Sequence, residues 1–138
     1  MPPKVKARRY SMSQIVPVLK DEHRQQPIPS AWRAAFCDIV ESLKQDHYDV
    51  ERRITNVRPI SEKTAAKIAN NVKAYSVRLA SLPEGTWQTS VCQWMRGYWD
   101  VLIDLYSIEE GASDLVLDAR VYEEGGGYVI DVHMVYVP

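Results

Sequence analysis

Two kinds of apolar spacing divide the chain. From Ser30 the run SAWRAAFCDIVESLKQD places Trp32, Ala35, Phe36, Ile39, Val40 and Leu43 at steps of three and four. Such steps draw one continuous stripe down a helix, with Arg33, Glu41 and Lys44 mostly on the other side. They predict a helix over 30–46, capped by Ser30 and entered through the helix-breaking Pro27-Ile-Pro29. A second stripe of Ala65, Ile68, Ala69, Val72 and Leu79 predicts a helix over 61–80, capped by Ser61, with Lys63, Lys67, Asn70 and Lys73 facing water. A shorter helix over 13–25 turns Ile15, Val18 and Leu19 inward, provided that Pro17 lies in its first turn.

Beyond Leu82-Pro-Glu-Gly85 the period changes from about 3.6 to about 2, the mark of strands. Segments 87–95, 98–106, 114–122 and 128–137 read as four strands. Arg96-Gly97 reads as a two-residue turn, 107–113 as a longer loop, and Gly125-Gly126-Gly127 as the last reversal. Helices first and hairpin-linked strands afterwards give an α+β fold. Two or three N-terminal helices pack on one face of a C-terminal four-stranded antiparallel meander. Residues 1–12 read as a flexible basic tail, 13–138 as a single domain, and 47–60 as a connector with room for one short strand.

The strand parity separates two faces. Trp99, Val101, Ile103 and Leu105, then Leu115, Leu117, Ala119 and Val121, then Tyr128, Ile130, Val132, Met134 and Tyr136 form the side for the helices. Bringing Tyr128 inward requires a four-residue final turn or a bulge at the glycines. The other side displays Tyr98, Asp100, Leu102, Asp104 and Tyr106, then Asp114, Val116, Asp118, Arg120 and Tyr122, then Val129, Asp131, His133 and Val135. A seven-residue loop sets Tyr106 opposite Asp114. If Trp94 pairs with Trp99, then Trp87, Thr89, Val91 and Gln93 join the outer face. Carboxylates among rings on a flat sheet suit protein recognition, because rigid aromatics supply contact area and fixed charges steer the encounter.

Charge sharpens this picture. The whole chain carries a formal net charge of −1, yet residues 1–80 sum to +7 and residues 81–138 to −8. Lys4, Lys6, Arg8 and Arg9, with Arg52, Arg53, Arg58, Lys63 and Lys67, form a basic pole able to meet phosphates. The pI near 6.3 and the lack of a recognised module speak against nucleic acid as the expected partner. No apolar run approaches the ~20 residues of a spanning helix, so no membrane role is expected. The basic start MPPKVKARRY has no apolar stretch behind it, so a secretory leader is not expected either.

Catalytic signatures are missing. There is no Walker loop, GxSxG elbow, HExxH or paired CxxC, and no cofactor is expected. Cys37 and Cys92 are far apart and suit small core positions in a reducing cytoplasm. One DxH pair stands out: Asp131 and His133 lie two apart on one strand, within cross-sheet reach of Asp104 and Asp118. That group supports an alternative reading as a metal-binding protein or small enzyme.

The run WQTSVCQWMRGYWDVLIDLYSIEEGASDLVLDARVY, with VIDVHMVYVP at its end, resembles a family of small bacterial proteins of unknown function. The shared pattern is WxTSVCQW, GYWDVL, SDLVL and HMVYVP, spanning Trp87 to Pro138, with a looser likeness at Pro29–Trp32. The resemblance implies a compact cytoplasmic bacterial protein and transfers no activity. Small acidic-faced α+β proteins also look like immunity proteins, an analogy of class. The expectation is therefore a non-catalytic inhibitor of a basic, nuclease-type toxin or other protein. Its contact set is Trp87, Tyr98, Asp100, Asp104, Tyr106, Asp118 and Asp131. The alternative classes are the Asp131/His133 metal protein or enzyme, and a nucleic-acid-associated regulator using the basic half.

Overall fold

A computed structural model describes residues 15–44 and 54–138. The basic tail, His47, Arg52 and Arg53 lie outside the described residues. The described residues form an α+β fold of two α-helices and a five-stranded antiparallel sheet in sequential order. The strands are β1 (Gln26–Pro27), β2 (Val91–Trp94), β3 (Trp99–Ser107), β4 (Gly111–Glu124) and β5 (Gly127–Tyr136); the helices are α1 (Ser30–Leu43) and α2 (Glu62–Tyr75). The fifth strand, β1, is a two-residue addition that the sequence pattern does not show. Its Gln26 and Pro27 pair with Cys92 and Val91.

β3 carries the alternation most plainly: every odd position from Trp99 to Ser107 is buried and every even one half-buried. Helix α1 lays its predicted stripe of Trp32, Phe36, Ile39, Val40 and Leu43 into the core with Val101, Ile103 and Leu105. Trp32 meets Trp99 and Tyr128 edge to face, with ring centroids 5.2 and 5.6 Å away. That geometry suits the quadrupoles of aromatic rings and fixes the helix against the sheet. The Trp32 indole nitrogen is buried and has no hydrogen-bond partner among the described residues.

Several expectations need correction. Residues 15–25 are not helical. They run in extended and turn conformation, held by the main chain: Ser30 N–H donates to Val16 O (3.0 Å), Val16 N–H to the Ser30 hydroxyl (2.8 Å), and the Trp99 indole to Leu19 O (2.9 Å). Ser30 is thus the first residue of α1 rather than its cap, which is Pro29. Helix α2 is capped by Ser61, as its sequence predicts, but stops at Tyr75, where Ser76 takes a left-handed φ of 65°. Leu79 is buried outside the helix, bridging Ser107 of β3.

The expected strand 87–95 shrinks to Val91–Trp94, because Glu84–Gln88 is a 3-10 helix. Its cause is a pair of buried hydroxyls. Thr86 donates to Asp104 O (2.6 Å), lies 3.0 Å from the Ser90 hydroxyl, and Ser90 accepts from Asp104 N–H (2.9 Å). The short β2 leaves the second half of β3 without a strand on that edge. The hydroxyl pair fills that gap, with Ala80 N–H donating to Tyr106 O and Ile108 N–H to Arg78 O.

The last correction concerns register. Neither the expected four-residue turn nor a bulge at the glycines is present: a two-residue turn at Gly125-Gly126, with φ of 58° and 79°, joins Glu124 to Gly127, and Tyr128 pairs with Glu123 and turns inward. A bulge lies further along, where Asp118 pairs with Met134 and Ala119 with Val132. The extra residue brings Val135 opposite Leu117, both fully buried, and sets Tyr136 opposite Val116. Val135, expected outward, is therefore a core residue, while Met134 and Tyr136, expected inward, pair with the outward Asp118 and Val116; the inward series of β5 ends at Val132 and resumes one residue out of step. A second irregularity follows Asp104: Tyr106 pairs with Ala112, not Asp114, whose amide is bound instead by the Tyr75 hydroxyl (3.1 Å).

Removing the Ser90 hydroxyl strands a buried amide. Ser90→Ala should lower unfolding stability by about 1–3 kcal/mol in urea titration, whereas the exposed Thr89→Ala should change it little. Equal small losses would remove the hydroxyl pair as the cause of the 3-10 helix.

Candidate functional site

The sheet side away from α1 and α2 is the candidate surface, and no described helix lies on it. Its register is set by β3 and β4: Asp100 sits opposite Arg120, Leu102 opposite Asp118, and Asp104 opposite Val116. The two-residue turn Arg96-Gly97 delivers Tyr98, with Trp94 opposite Trp99 and Met95 N–H donating to Tyr98 O (2.7 Å). Arg96 takes φ 63°, a conformation disfavoured for a side chain with a Cβ, and its guanidinium is clamped by Glu22 (2.8 Å to Oε2 from one terminal nitrogen).

The face holds interleaved rings and guanidiniums. Arg120 stacks on Tyr98 at 4.4 Å, Arg58 on Tyr122 at 4.6 Å, and the two tyrosines lie 5.7 Å apart. Arg58 also reaches Glu124 (3.0 Å) and Asp131 (3.5 Å), and His133 Nε2 lies 3.5 Å from the same Asp131 oxygen. Arg58 arrives from the connector, whose Val57 forms a parallel bridge to Ile130. Arg58 N–H donates to Ile130 O and Ile130 N–H to Asn56 O, each at 2.8 Å. The connector thus covers the free edge of β5, which would otherwise offer unpaired backbone groups to another chain.

The predicted contact residues separate into three groups. Trp87 leaves the face entirely: it is 7% exposed, lies in the 3-10 helix and packs into the core under Arg33, 5.2 Å from its ring. Asp131 is on the face but engaged by Arg58 and His133. Tyr98, Asp100, Asp104, Tyr106 and Asp118 remain together across β3 and β4, all half-buried. Sequence reasoning assigned Arg58 to the basic pole, whereas it sits among the acids of the sheet, and the two ring–cation stacks were missed. Only the outward parity of Tyr98, Arg120 and Tyr122 hinted at them, and nothing linked Arg58 to β5.

Two carboxylates at the centre depend on each other. Burial, then the hydrogen bond that the protonated Asp118 donates to the Asp100 carboxylate and the charge of that carboxylate, push the Asp118 carboxyl up to about 6, against the opposing pull of Arg120. Asp104 has no ion pair among the described residues; its backbone is tied by Thr86 and Ser90 while its carboxylate faces outward. Among the described residues no three His, Cys, Asp or Glu side chains converge to hold an ion, so Asp131 and His133 stand as a pair. Burial also pushes the Cys92 thiol up to about 12 and raises that of Cys37, which is the behaviour of core residues rather than nucleophiles.

With this geometry in place, comparison with known proteins gives the family. A family model described as a domain of unknown function (DUF7668) matches residues 40–138, and the chain belongs to that family. The match excludes most of α1, although Ile28, Trp32 and Phe36 complete the same core. No curated protein and no solved structure matches the chain. No described helix is long and apolar enough to cross a membrane.

The raised Asp118 carboxyl makes a signed prediction. The folded state holds this proton more tightly than an unfolded aspartate near 3.8, so ionisation costs stability above pH about 6. That cost is relieved as pH falls from about 6 towards about 4. Asp118→Asn should therefore raise Tm at neutral pH, and its advantage over the parent should shrink on acidification through that window. Parallel Tm profiles for the two proteins would contradict it.

Proposed function

We propose that this member of the family is a non-catalytic protein-binding module, a bacterial immunity or antitoxin-type inhibitor that neutralises a basic protein such as a nuclease toxin. The observation that carries the reading is the outer sheet surface, where Asp100, Asp104 and Tyr106 of β3 and Asp118 of β4 share one side, with Tyr98 at the turn that precedes β3. A nuclease presents lysines and arginines to phosphate; carboxylates on a rigid sheet meet the same groups. The half-buried tyrosines supply area whose ordering cost is already met in the free protein.

Within this reading the residues divide their work. Asp104 is the entry point: like Asp100 it has no ion pair among the described residues, and it stands apart from the Asp100–Asp118 carboxyl pair. Asp100 and Asp118 offer a cationic side chain a site where their mutual repulsion is relieved. Arg58 and Arg120 keep Tyr122 and Tyr98 in place through the stacks described above. Asp131, held by Arg58 and His133, fixes the connector to the sheet and stands outside the contact set, as does Trp87.

The experiment is capture from the native host with the immobilised chain and its Asp104→Lys variant. The parent should retain a basic protein, and the charge reversal should weaken that complex at least tenfold by titration. Tyr98→Ala should weaken it further, while Trp87→Phe should leave it unchanged. Retention of no basic protein, or equal affinity for parent and Asp104→Lys, would contradict the reading.

A further inference from the structure

Residues 15–25 lie on the protein as neither helix nor strand and lead into β1 at Gln26. Within them only Val16 is fully buried, and Val18 packs partly against the core. Leu19 is exposed, as is Ile15 at 79%. Removal of apolar surface from water therefore does little to hold this segment down.

Polar groups hold it instead, at three places. Beside α1, Val16 and Ser30 exchange their two hydrogen bonds. In the middle, the Trp99 indole donates to Leu19 O (2.9 Å), and the Lys20 ammonium lies 5.0 Å over the Trp94 ring and 2.8 Å from Glu123. At the far end, the Gln93 side chain donates to Glu22 O (2.8 Å), while Arg96 grips the Glu22 carboxylate through both Nε and a terminal nitrogen (3.0 and 2.8 Å to Oε2). Apart from Ser30, these partners all belong to one end of the sheet, around the β2–β3 hairpin. Both ion pairs face solvent, where such pairs are individually weak and screened by salt.

Arg96 makes its grip from an unfavourable position. Its φ of 63° is a conformation in which a Cβ is strained and a glycine is not. The side chain is 78% exposed and adds nothing to the core; what it does is hold Glu22. Beneath the segment lie the rings of Trp94 and Trp99, with centroids 4.6 Å apart, and the Trp99 side chain is fully buried. A segment with few buried apolar groups, fastened by exposed side chains over an aromatic pair, opens at lower free energy than the sheet under it.

We propose that residues 15–25 form a strap, latched by Arg96 on Glu22, that lifts from the β2–β3 hairpin while the helices and the sheet stay folded, and so bares the Trp94–Trp99 pair. The device does not depend on the function assigned to the acidic sheet surface.

The test is hydrogen exchange of the full chain followed by NMR. The Trp99 indole N–H and the Ser30 amide report on the strap, and the Val101 and Val121 amides, each inside a strand paired on both sides, report on the sheet. The strap protons should be protected at least about a hundred-fold less than the sheet amides. Glu22→Gln and Arg96→Gly should each speed the strap protons about five-fold and leave the sheet amides no faster. Arg96→Gly also relieves the strained backbone, so its melting temperature should equal or exceed that of the parent even as the strap opens more often. Equal protection of strap and sheet protons would overturn the proposal. So would strap exchange that neither substitution changes, or substitutions that speed both sets of protons alike.

Discussion

The alternation of β3 is the constraint on which the molecule depends. Its odd residues, Trp99 to Ser107, are buried against α1 and the rest of the core, and its even residues form the middle of the opposite surface. A slip of one residue would exchange the two sets, burying Asp100 and Asp104 and exposing Trp99 and Ile103. Burying unpaired carboxylates costs far more than the sheet's hydrogen bonds return, so the register is held firmly. The turn at Arg96-Gly97, the hydroxyl pair at Thr86 and Ser90 and the edge contacts at Leu79 each act on β3. They close the parts of its ladder that the short β2 leaves open.

The acidic half of the sequence does not translate into a uniformly acidic surface. Arg58 and Arg120 are set among the acids and stacked on tyrosines, and Asp131 is engaged by Arg58 and His133. What remains negative is local, centred on Asp104 with Asp100 and Asp118 beside it. The basic half is likewise redistributed: Arg58 crosses to the acidic side, while the lysines of α2 stay in water. Formal charge by segment therefore describes the chain, and the position of a few arginines describes its field.

Legibility of the sequence followed the strength of local periodicity. The stripe of α1, the cap of α2, the Arg96-Gly97 turn and the alternation of β3 are short-range patterns, and each appears in the structure. Residues 15–25 depart from the expected helix because their main chain bonds distant partners, Val16 with Ser30 and Leu19 O with Trp99, and Ile15 and Leu19, expected inward, are exposed. Trp87 was misplaced because two hydroxyls, 86 and 90, prefer the backbone of Asp104 to a ladder of their own. The sequence VHMVYV carries no marker for the bulge, since apolar residues occupy both parities around it, and only pairing with β4 decides that Val135 turns inward. Five of the seven proposed contact residues nevertheless share one surface, because their parity was set by β3 and β4.

The openness of that surface is tested most directly by carbodiimide labelling of carboxylates, read by peptide mass spectrometry, in the free chain and with its captured basic partner. Asp104 should react readily in the free protein, ahead of Asp131, and become protected together with Asp100 and Asp118 on binding. An Asp104 that is unreactive in the free chain, or that reacts equally in the complex, would contradict a sheet whose outer side is built to receive another protein.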